Sequence, residues 1–425
     1  MKIAIIGTGI AGNVAAYHLS REHDITVFEA GDHVGGHTHT HAIEQDGQRY
    51  NVDTGFIVFN DWTYPNFIAL LDELGVPSQE SAMSFSVRAE SSGIEYNGTS
   101  LNTLFAQRRN LLRPSFLRMI RDILRFNREA PALLASEGDD ITLGDYLAAQ
   151  RYSRAFIEHY IIPMGAAIWS TDPENMQRFP ARYFVRFFHN HGMLSVDQRP
   201  QWRVIQGGSA RYVEKLTAPF RERISLRTPV EWIRRLPGQV LVKARGLETE
   251  RYDQVFLACH SDQALALLAD ASAQEREVLG AIPYQENEAV LHTDTRLLPR
   301  RKLAWAAWNY HVLPQARERV ALTYNMNILQ GLNAPTPFLV TLNHSAAIDP
   351  AKIIKRVSYQ HPLYTRAGVA AQARQAEING PLNTYYCGAY WRFGFHEDGV
   401  VSALNALEHF KERNQHAQRA LHRTG

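Results

Sequence analysis

Three glycines near the amino terminus have the spacing of a phosphate-binding turn. Gly7 allows a tight turn, Gly9 lets the backbone approach a pyrophosphate, and Gly12 lets a helix pack closely on a strand. The first residues of that helix, Ile10 and Ala11, offer backbone N–H groups and a partial positive charge to an anion. This spacing therefore predicts that the chain binds a dinucleotide through its phosphates.

An acidic residue stands at the expected distance from these glycines. Glu29 follows the second apolar run of the chain, where a carboxylate can accept hydrogen bonds from the hydroxyl groups of a ribose. Its neighbour Ala30 is expected to line the same site. The pair predicts where the adenosine half of the dinucleotide would lie.

The elements that must position these residues form a β-α-β unit. The apolar run from Lys2 to Ile6 is typical of a buried parallel strand, and Ile25 to Phe28 of a second one. The segment between them, Ala11 to Ser20, is typical of a helix. A strand before the glycines and a helix after them is the context that dinucleotide binding requires.

Two further segments carry a resemblance to a known family. A second glycine pair lies at positions 35 and 36, and a glycine followed by two apolar residues lies at 55–57. This pattern resembles the flavin-containing amine oxidase superfamily, which includes protoporphyrinogen oxidases and carotenoid desaturases. The resemblance implies non-covalently bound FAD. The residues that it places at the pyrophosphate or the flavin are Gly35, Gly36, His37, Thr38, Gly55, Phe56 and Ile57.

The carboxy-terminal part resembles the closing flavin motif of the same family, in the segments 386–389 and 396–400. The resemblance implies that an acidic residue, Asp398, holds the ribityl chain and that a helix amino terminus faces the flavin. It also implies that Val230 contacts the adenine. The cofactor residues implied in this part are Val230, Gly388, Asp398, Gly399 and Val400.

Three features differ from the pattern common in that family. His37 stands where the family usually has an arginine. The stretch from Glu286 to Val290 has no lysine, whereas many amine oxidases have one there that holds a water beside the flavin. Cys387 precedes a glycine in an expected strand, so we expect no covalent bond to flavin. The missing lysine argues against oxidation of an amine.

Length and resemblance together predict the fold. A chain of 425 residues is long enough for two domains. We expect an α/β protein in which a Rossmann-type, glutathione-reductase-like FAD-binding domain is interleaved with a mixed α+β substrate domain. The FAD-binding domain is assigned residues 1–80, 201–280 and 376–425, and the substrate domain residues 81–200 (helical) and 281–375 (sheet).

The aromatic residues near 305–310 and at 391 either belong to the core or, as the resemblance implies, line a lipophilic pocket beside the flavin. The chain also resembles a bacterial branch of the superfamily that is associated with unsaturated and modified fatty acids. We therefore expect an FAD-dependent oxidoreductase that passes a hydride from a fatty acyl chain to the flavin, in a net oxidation or an isomerisation. A small amine as substrate and a non-catalytic flavin-binding partner of a lipid-modifying enzyme stay open as alternatives. The pocket candidates are Trp305, Trp308, Tyr310, Trp391 and His396.

Composition limits the partners and the location of the protein. A formal net charge of +2 gives no reason to expect nucleic acid. No signal region precedes the first strand, and no apolar run reaches the roughly 18 to 20 residues that span a bilayer, so we expect a cytoplasmic protein. Arginines at helical spacing in residues 115–128 suggest either a solvated surface helix or peripheral contact with a membrane. His37, His39 and His41 are interpreted as a polar strand facing the cofactor, and no metal site is expected.

Overall fold

The computed structural model describes residues 1–135, 141–314 and 319–424. Strand formation follows the apolar runs of the sequence, and the first two strands are almost wholly buried. The strands are β1 Lys2–Ile6, β2 Asp24–Phe28, β3 Thr40–Gln45, β4 Gln48–Asp53, β5 Phe59–Asn60, β6 Ser78–Glu80, β7 Phe85–Ala89, β8 Ile94–Asn97, β9 Trp202–Ile205, β10 Ile224–Ser225, β11 Val230–Leu236, β12 Gln239–Ala244, β13 Glu250–Tyr252, β14 Gln254–Leu257, β15 Tyr284–His292, β16 Trp308–Val312, β17 Leu322–Asn325, β18 Leu339–Leu342, β19 Ile353–Pro362 and β20 Thr384–Tyr386.

Residues that favour helix starts and helix ends lie at the boundaries of helices. Pro65 starts the second helix, and Gly75, with φ +59°, ends it. The helices are α1 Ile10–Leu19, α2 Pro65–Leu74, α3 Leu101–Leu104, α4 Pro114–Glu129, α5 Ala132–Ala135, α6 Leu143–Ala149, α7 Arg154–Phe156, α8 Ile162–Trp169, α9 Pro173–Arg178, α10 Ala181–Asn190, α11 Ala210–Thr217, α12 Ser261–Leu267, α13 Ala273–Gly280, α14 Met326–Gln330, α15 Arg366–Gln372, α16 Gln375–Ile378 and α17 His396–Thr424.

A parallel sheet of five strands confirms the Rossmann-type fold. Its strand order is β10-β2-β1-β14-β20, and every neighbouring pair is parallel. Helices α1 and α17 contact each other, and both belong to an apolar core that contains Ile3 and Ile5 of β1. The strands come from three separate stretches of the chain, so the nucleotide-binding part is assembled from residues far apart in sequence.

A second sheet of seven strands, in the order β19-β15-β18-β17-β16-β7-β8, supports the other half of the molecule. The sequence assigns residues 81–200 to helices, but this stretch begins with the hairpin β7-β8, which turns at Gly93 with φ +63°. Strand β7 pairs in parallel with β16, so the hairpin extends the sheet made by residues 284–362. The domain boundaries at residues 80, 200, 280 and 375 stay predictions.

Helices α4 to α10 cover the seven-stranded sheet and share its apolar core. A three-stranded sheet, β11-β12-β13, packs with α12 and α13 in a separate core. Among the described residues, no helix is both long enough and apolar enough to cross a bilayer.

Candidate cofactor and substrate site

A cavity of about 1160 Å³ lies where the parallel sheet faces the seven-stranded sheet. Residues that follow the ends of β1, β2, β14 and β20 form one side of the cavity wall, and residues of β16 to β19 form the other. The carboxyl ends of parallel strands are where α/β sheets bind ligands. The volume exceeds the roughly 300–1,000 Å³ of a pocket for one small ligand, so a dinucleotide and a substrate fit together.

The first glycine cluster leaves an open space at the amino terminus of α1. A Cβ atom built on Gly9 would meet no atom within 4 Å, whereas one on Gly12 would lie 2.0 Å from the Gly7 carbonyl oxygen. No side chain caps this helix. Gly12 therefore allows helix and strand to pack, and Gly9 leaves room for a phosphate beside unpaired N–H groups. These two roles are the ones that the sequence assigns to the glycines.

Glu29 is held rigidly beside that space. The Thr8 N–H donates to Glu29 Oε2 at 2.9 Å, and the Gly31 N–H donates to Glu29 Oε1 at 2.7 Å. A carboxylate fixed by two backbone donors keeps lone pairs free for the hydroxyl groups of a ribose. Ala30 and Val230 lie on the same part of the cavity wall.

The second glycine pair lies directly against the first cluster. Gly35 and Gly36 have φ values of +132° and +60°, which residues other than glycine rarely adopt. A Cβ atom on Gly36 would lie 3.0 Å from the Gly9 Cα. The two turns therefore face one space, as expected if both contact the same pyrophosphate.

A buried polar contact fixes His396 on the cavity wall. Thr38 Oγ1 lies 2.6 Å from the Tyr212 hydroxyl and 3.0 Å from His396 Nε2. The His396 ring stacks on Phe56 with ring centres 3.5 Å apart. Burial lowers the pKa of His396 to about 3, so the ring is neutral at physiological pH. Thr38 itself lies behind the wall, and its contact with the cofactor stays a prediction.

Three neutral histidines meet on another part of the wall. His37 lies 5.3 Å from His361 and 6.0 Å from His260, between ring centres. Burial, assisted by the neighbouring histidines, lowers the pKa of His37 well below its usual value, and burial lowers that of His361 to about 4. His37 Nε2 is buried and without a hydrogen-bond partner among the described residues. A bound cofactor or substrate is the natural partner for such an atom.

A chain of hydrogen bonds fixes the tautomer of His361. The Glu288 N–H donates to Asn343 Oδ1 at 2.9 Å, and Asn343 Nδ2 donates to Asn287 Oδ1 at 2.7 Å. Asn287 Nδ2 then donates to His361 Nδ1 at 2.9 Å. Because a backbone N–H can only donate, each step has one direction, and His361 carries its proton on Nε2. Asn287, in the lysine-free stretch, therefore orients a hydrogen-bond donor on the cavity wall, the N–H of His361 Nε2.

Most of the predicted cofactor residues lie on the cavity wall, and the others lie behind it. The pocket candidates divide in the same way. Trp308 and His396 line the cavity, but Trp305 donates its indole N–H to the Pro299 carbonyl, and Tyr310 and Trp391 are packed into apolar cores. The predicted residues on the wall are Gly7, Gly9, Ile10, Ala11, Glu29, Ala30, Gly35, Gly36, His37, Gly55, Phe56, Ile57, Val230, Trp308, Gly388 and His396.

Several residues of the wall were not predicted from the sequence. His260 lies three residues after β14, near the carboxyl end of a parallel strand, and this position could have indicated it. Tyr359 and His361 belong to β19, and no local signal in the sequence connects that strand to the glycines. Strand pairing of β19 with β15 brings them to the cavity.

Helix α17 begins at His396, so Asp398, Gly399 and Val400 belong to its first turns. A Cβ atom on Gly399 would lie 2.5 Å from the Ile10 side chain, so this glycine lets α17 pack against α1. The Asp398 carboxylate accepts a hydrogen bond from the Phe395 N–H at 2.9 Å and lies 3.6 Å from Arg392 Nε. Its contact with the ribityl chain stays a prediction.

We expect Asp398→Asn to remove one contribution that makes stability fall as pH rises. Burial raises the pKa of Asp398 to about 7, although the Phe395 N–H and Arg392 act to lower it. The unfolded carboxyl titrates near pH 4, so between about pH 4 and 7 the native state binds the extra proton and stability falls as pH rises, by up to about 1.4 kcal/mol per pH unit. Asparagine removes this loss.

The measurement is thermal unfolding with excess FAD between about pH 5 and 8. Burial also raises the pKa of Asp53, to about 6, so its contribution lies mainly below pH 6 and persists in the variant. Buried histidines such as His361 make stability rise with pH below about pH 7, equally in both proteins, so the difference between the native and variant curves belongs to Asp398. Parallel curves for the variant and the native sequence would contradict the assignment.

The two cysteines have the properties of structural thiols. Cys387 is fully buried, and burial raises the pKa of its thiol far above the usual range. Cys259 lines the cavity, but burial raises its pKa to about 12. A thiol that stays protonated is a poor nucleophile, which is consistent with non-covalent FAD. In the described parts of the chain, no three histidine, cysteine or acidic side chains are grouped to hold a metal ion.

Comparison with solved structures shows the same fold along nearly the whole chain. The first is a proposed protoporphyrinogen oxidase from Exiguobacterium sp. 255-15, with 18% identity, 97% of this chain and 99% of that chain covered, and a TM-score of 0.69. The second is the cyclohexylamine oxidase of Brevibacterium oxydans IH-35A, with 16% identity, coverage of 97% and 99%, and a TM-score of 0.70. The third is a CLA-producing fatty acid isomerase from P. acnes, with 18% identity, coverage of 96% and 98%, and a TM-score of 0.67.

At the level of sequence, no curated protein matches the chain. Residues 10–318, well over half of its length, match the model of the family described as flavin containing amine oxidoreductase. This stretch includes Gly12, the second glycine pair and Glu29, and it begins directly after Gly7 and Gly9. The chain therefore belongs to the flavin containing amine oxidoreductase family and is an FAD-dependent oxidoreductase.

Proposed function

We propose that the enzyme acts on the acyl chain of an unsaturated fatty acid or phospholipid, in a net oxidation or an isomerisation. The observation that carries this proposal is the composition of the cavity wall on the side of the seven-stranded sheet. Apolar and aromatic side chains dominate there, and no described carboxylate lies among them. The residues in question are Ile168, Trp169, Trp308, Tyr324, Leu342, Val357, Tyr364 and Phe393.

Aromatic contacts hold this part of the wall in place. Trp308 meets Tyr324 edge to face with ring centres 5.1 Å apart, and Tyr183 packs on Phe393 at 4.5 Å. The Trp169 indole N–H donates to the Phe393 carbonyl at 3.2 Å. A preformed apolar surface binds a lipid chain well, because each buried CH₂ contributes about 0.8 kcal/mol.

The distribution of charge argues against a cationic amine. Among the described residues of the cavity wall, the only carboxylates are Glu29 and Asp32, and both lie beside the first glycine cluster. An alkylammonium ion at the aromatic end would therefore have no carboxylate to offset the cost of leaving water. A neutral hydrocarbon chain pays no such cost, so the wall favours a lipid.

The protein and the cofactor have separate tasks in this proposal. FAD, when bound, supplies the ability to accept a hydride from a C–H bond. The aromatic residues exclude water and hold the chain, and His361 Nε2–H can donate to a polar group of the substrate. The glycine clusters and Glu29 would hold the cofactor at the other end of the cavity.

The test is anaerobic mixing of the FAD-loaded enzyme with unsaturated fatty acids or phospholipids and, separately, with polyamines and aromatic monoamines. We expect lipids to bleach the oxidised flavin band or to leave with a moved double bond, which mass spectrometry of the products detects. Bleaching by amines alone would overturn the proposal. If neither lipids nor amines change the flavin band or yield a product, the result would point to a non-catalytic flavin-binding partner of a lipid-modifying enzyme.

A matched pair of tryptophan variants locates the effect. Trp308 lines the cavity, whereas Trp305 lies outside it. We expect Trp308→Ala to weaken lipid binding or turnover by about tenfold or more and Trp305→Ala to leave both nearly unchanged at equal FAD content. Equal losses in both variants would mean that the cavity is not where the lipid binds.

If the acyl substrate is part of a phospholipid, the enzyme would bind it at a membrane. Peripheral membrane contact through residues 115–128 therefore belongs to this proposal. The same anaerobic assay with phospholipid in vesicles and in detergent micelles tests whether the enzyme reaches a substrate held in a bilayer.

A further inference from the structure

One exposed surface of the helical region combines arginines with leucines. Leu112 is 88% exposed and Leu101 is 76% exposed, which are high values for large apolar side chains. Leu101 begins α3, and Leu112 ends a short 3₁₀ turn, Arg108–Leu112, whose arginines Arg108 and Arg109 are also exposed. Contiguous exposed apolar side chains among cations are rarely left to water without a partner.

Helix α4 continues this surface. Its inner side buries Phe116, Met119 and Phe126 in the core. Arg125 packs on the Tyr152 ring at 3.9 Å and donates to the Gln150 carbonyl, so it does not face outward freely. The exposed side of the helix carries Leu117, Arg118, Arg121, Leu124 and Arg128.

A second stretch of chain adds to the same surface. Helix α3 contacts the 3₁₀ turn Lys302–Ala304. This turn carries the exposed Lys302 and Leu303, and Arg300 and Arg301 precede it and are exposed as well. We call the exposed residues of 101–128 and 300–303 the basic leucine surface.

Few acidic side chains accompany these cations. In residues 98–129 the acidic residues are Asp122, which is fully buried, and Glu129, which pairs with Arg128 and Arg125 at the end of α4, and residues 295–305 contain none. The formal net charge of the whole chain is only +2. The positive charge is therefore concentrated locally, which indicates a negatively charged partner.

We propose that the basic leucine surface docks the enzyme on an anionic lipid bilayer. A helix of 16 residues is about 24 Å long and can lie in the plane of the interface with leucines among the acyl chains and arginines at the phosphates. Six exposed leucines favour lipid over nucleic acid, which would be recognised by cations and polar groups. This inference extends the membrane contact of the proposed function to a larger surface, but it does not depend on which substrate enters the cavity.

The experiment is co-sedimentation of the FAD-loaded enzyme with vesicles of phosphatidylglycerol and phosphatidylcholine, compared with vesicles of phosphatidylcholine alone. We expect binding to the anionic vesicles that weakens with salt. Arg118→Glu/Arg121→Glu should reduce the partition coefficient by at least about 25-fold, because each arginine contributes roughly fivefold at an anionic surface. Leu111→Ser/Leu112→Ser should reduce it by at least tenfold.

Controls on the three-stranded sheet match these changes in chemistry. Leu247→Ser and Arg251→Glu alter an exposed leucine and an exposed arginine there and should bind vesicles like the native sequence. Turnover of a soluble or detergent-dispersed substrate should be unchanged in every variant, so failure here is distinguishable from failure of the proposed function. Equal binding to both kinds of vesicle, retention on DNA without vesicle binding, or a dimer dispersed by the leucine variant would each overturn the proposal.

Discussion

Gly9→Val is expected to give a folded protein that contains no FAD. The φ and ψ angles at Gly9 are −64° and 176°, which any residue can adopt, and a Cβ atom there meets nothing within 4 Å. The valine would therefore occupy the space of the pyrophosphate without disturbing the fold. Loss of two hydrogen bonds to the phosphates, at about 1.5–3 kcal/mol each, weakens FAD by roughly 10² to 10⁴-fold.

The measurement is the ratio of flavin to protein absorbance after purification, followed by titration with FAD. Gly12→Val is the contrasting variant, because its Cβ atom would lie 2.0 Å from the Gly7 carbonyl oxygen. That variant should lose solubility and thermal stability, whereas Gly9→Val should unfold like the native apoprotein. A yellow Gly9→Val protein with ordinary FAD affinity would mean that the phosphates bind elsewhere.

Arg235→Met is expected to lower the free energy of unfolding by about 3–5 kcal/mol. The Arg235 side chain is fully buried and binds both carboxylate oxygens of Glu275 at 2.8 Å, and its Nε lies 2.7 Å from Asp270. Tyr386 of β20 donates to the same glutamate. Removing the guanidinium leaves the Glu275 charge buried and without a cation, in the contact between β11, α13 and the parallel sheet.

Urea unfolding at saturating FAD measures this loss, and a double variant shows its cause. Arg235→Met/Glu275→Leu removes both charges and should recover much of the stability, because an apolar pair can replace a buried ion pair. Burial acts to raise the pKa of Glu275, but Arg235 and Tyr386 bring it down to about 2. The pair therefore stabilises the fold fully above about pH 5 and loses this effect as pH falls toward 2. A single variant as stable as the native sequence would refute the argument.

Local patterns predicted the nucleotide-binding half of the molecule well. The strand from Lys2 to Ile6, the glycines and Glu29 lie within thirty residues, and short-range sterics and apolar runs decide their structure. For this reason the predicted and observed elements differ by only about one residue there.

The other half of the site depends on pairing between distant strands. Asn287 and His361 meet because β15 and β19 pair antiparallel in one register, 74 residues apart in sequence. Tyr310 shares a strand with Trp308 but lies in the core, so a cluster of aromatic residues in the sequence did not show which of them reaches the cavity. The register of a strand and the burial of each of its residues depend on tertiary contacts. Local sequence patterns therefore do not determine them.

The order of strands in the parallel sheet has a consequence for how the enzyme is made in the cell. Strand β1 has β14 as its neighbour, and β14 in turn pairs with β20, which ends at Tyr386. At about 5–20 residues per second, a ribosome needs roughly 20 to 80 s to go from the first strand to that point. During this time the glycine turns are already synthesised, but the sheet that positions them is incomplete. We therefore expect FAD to bind late in biogenesis. The nascent chain must remain protected from aggregation until β20 completes the sheet.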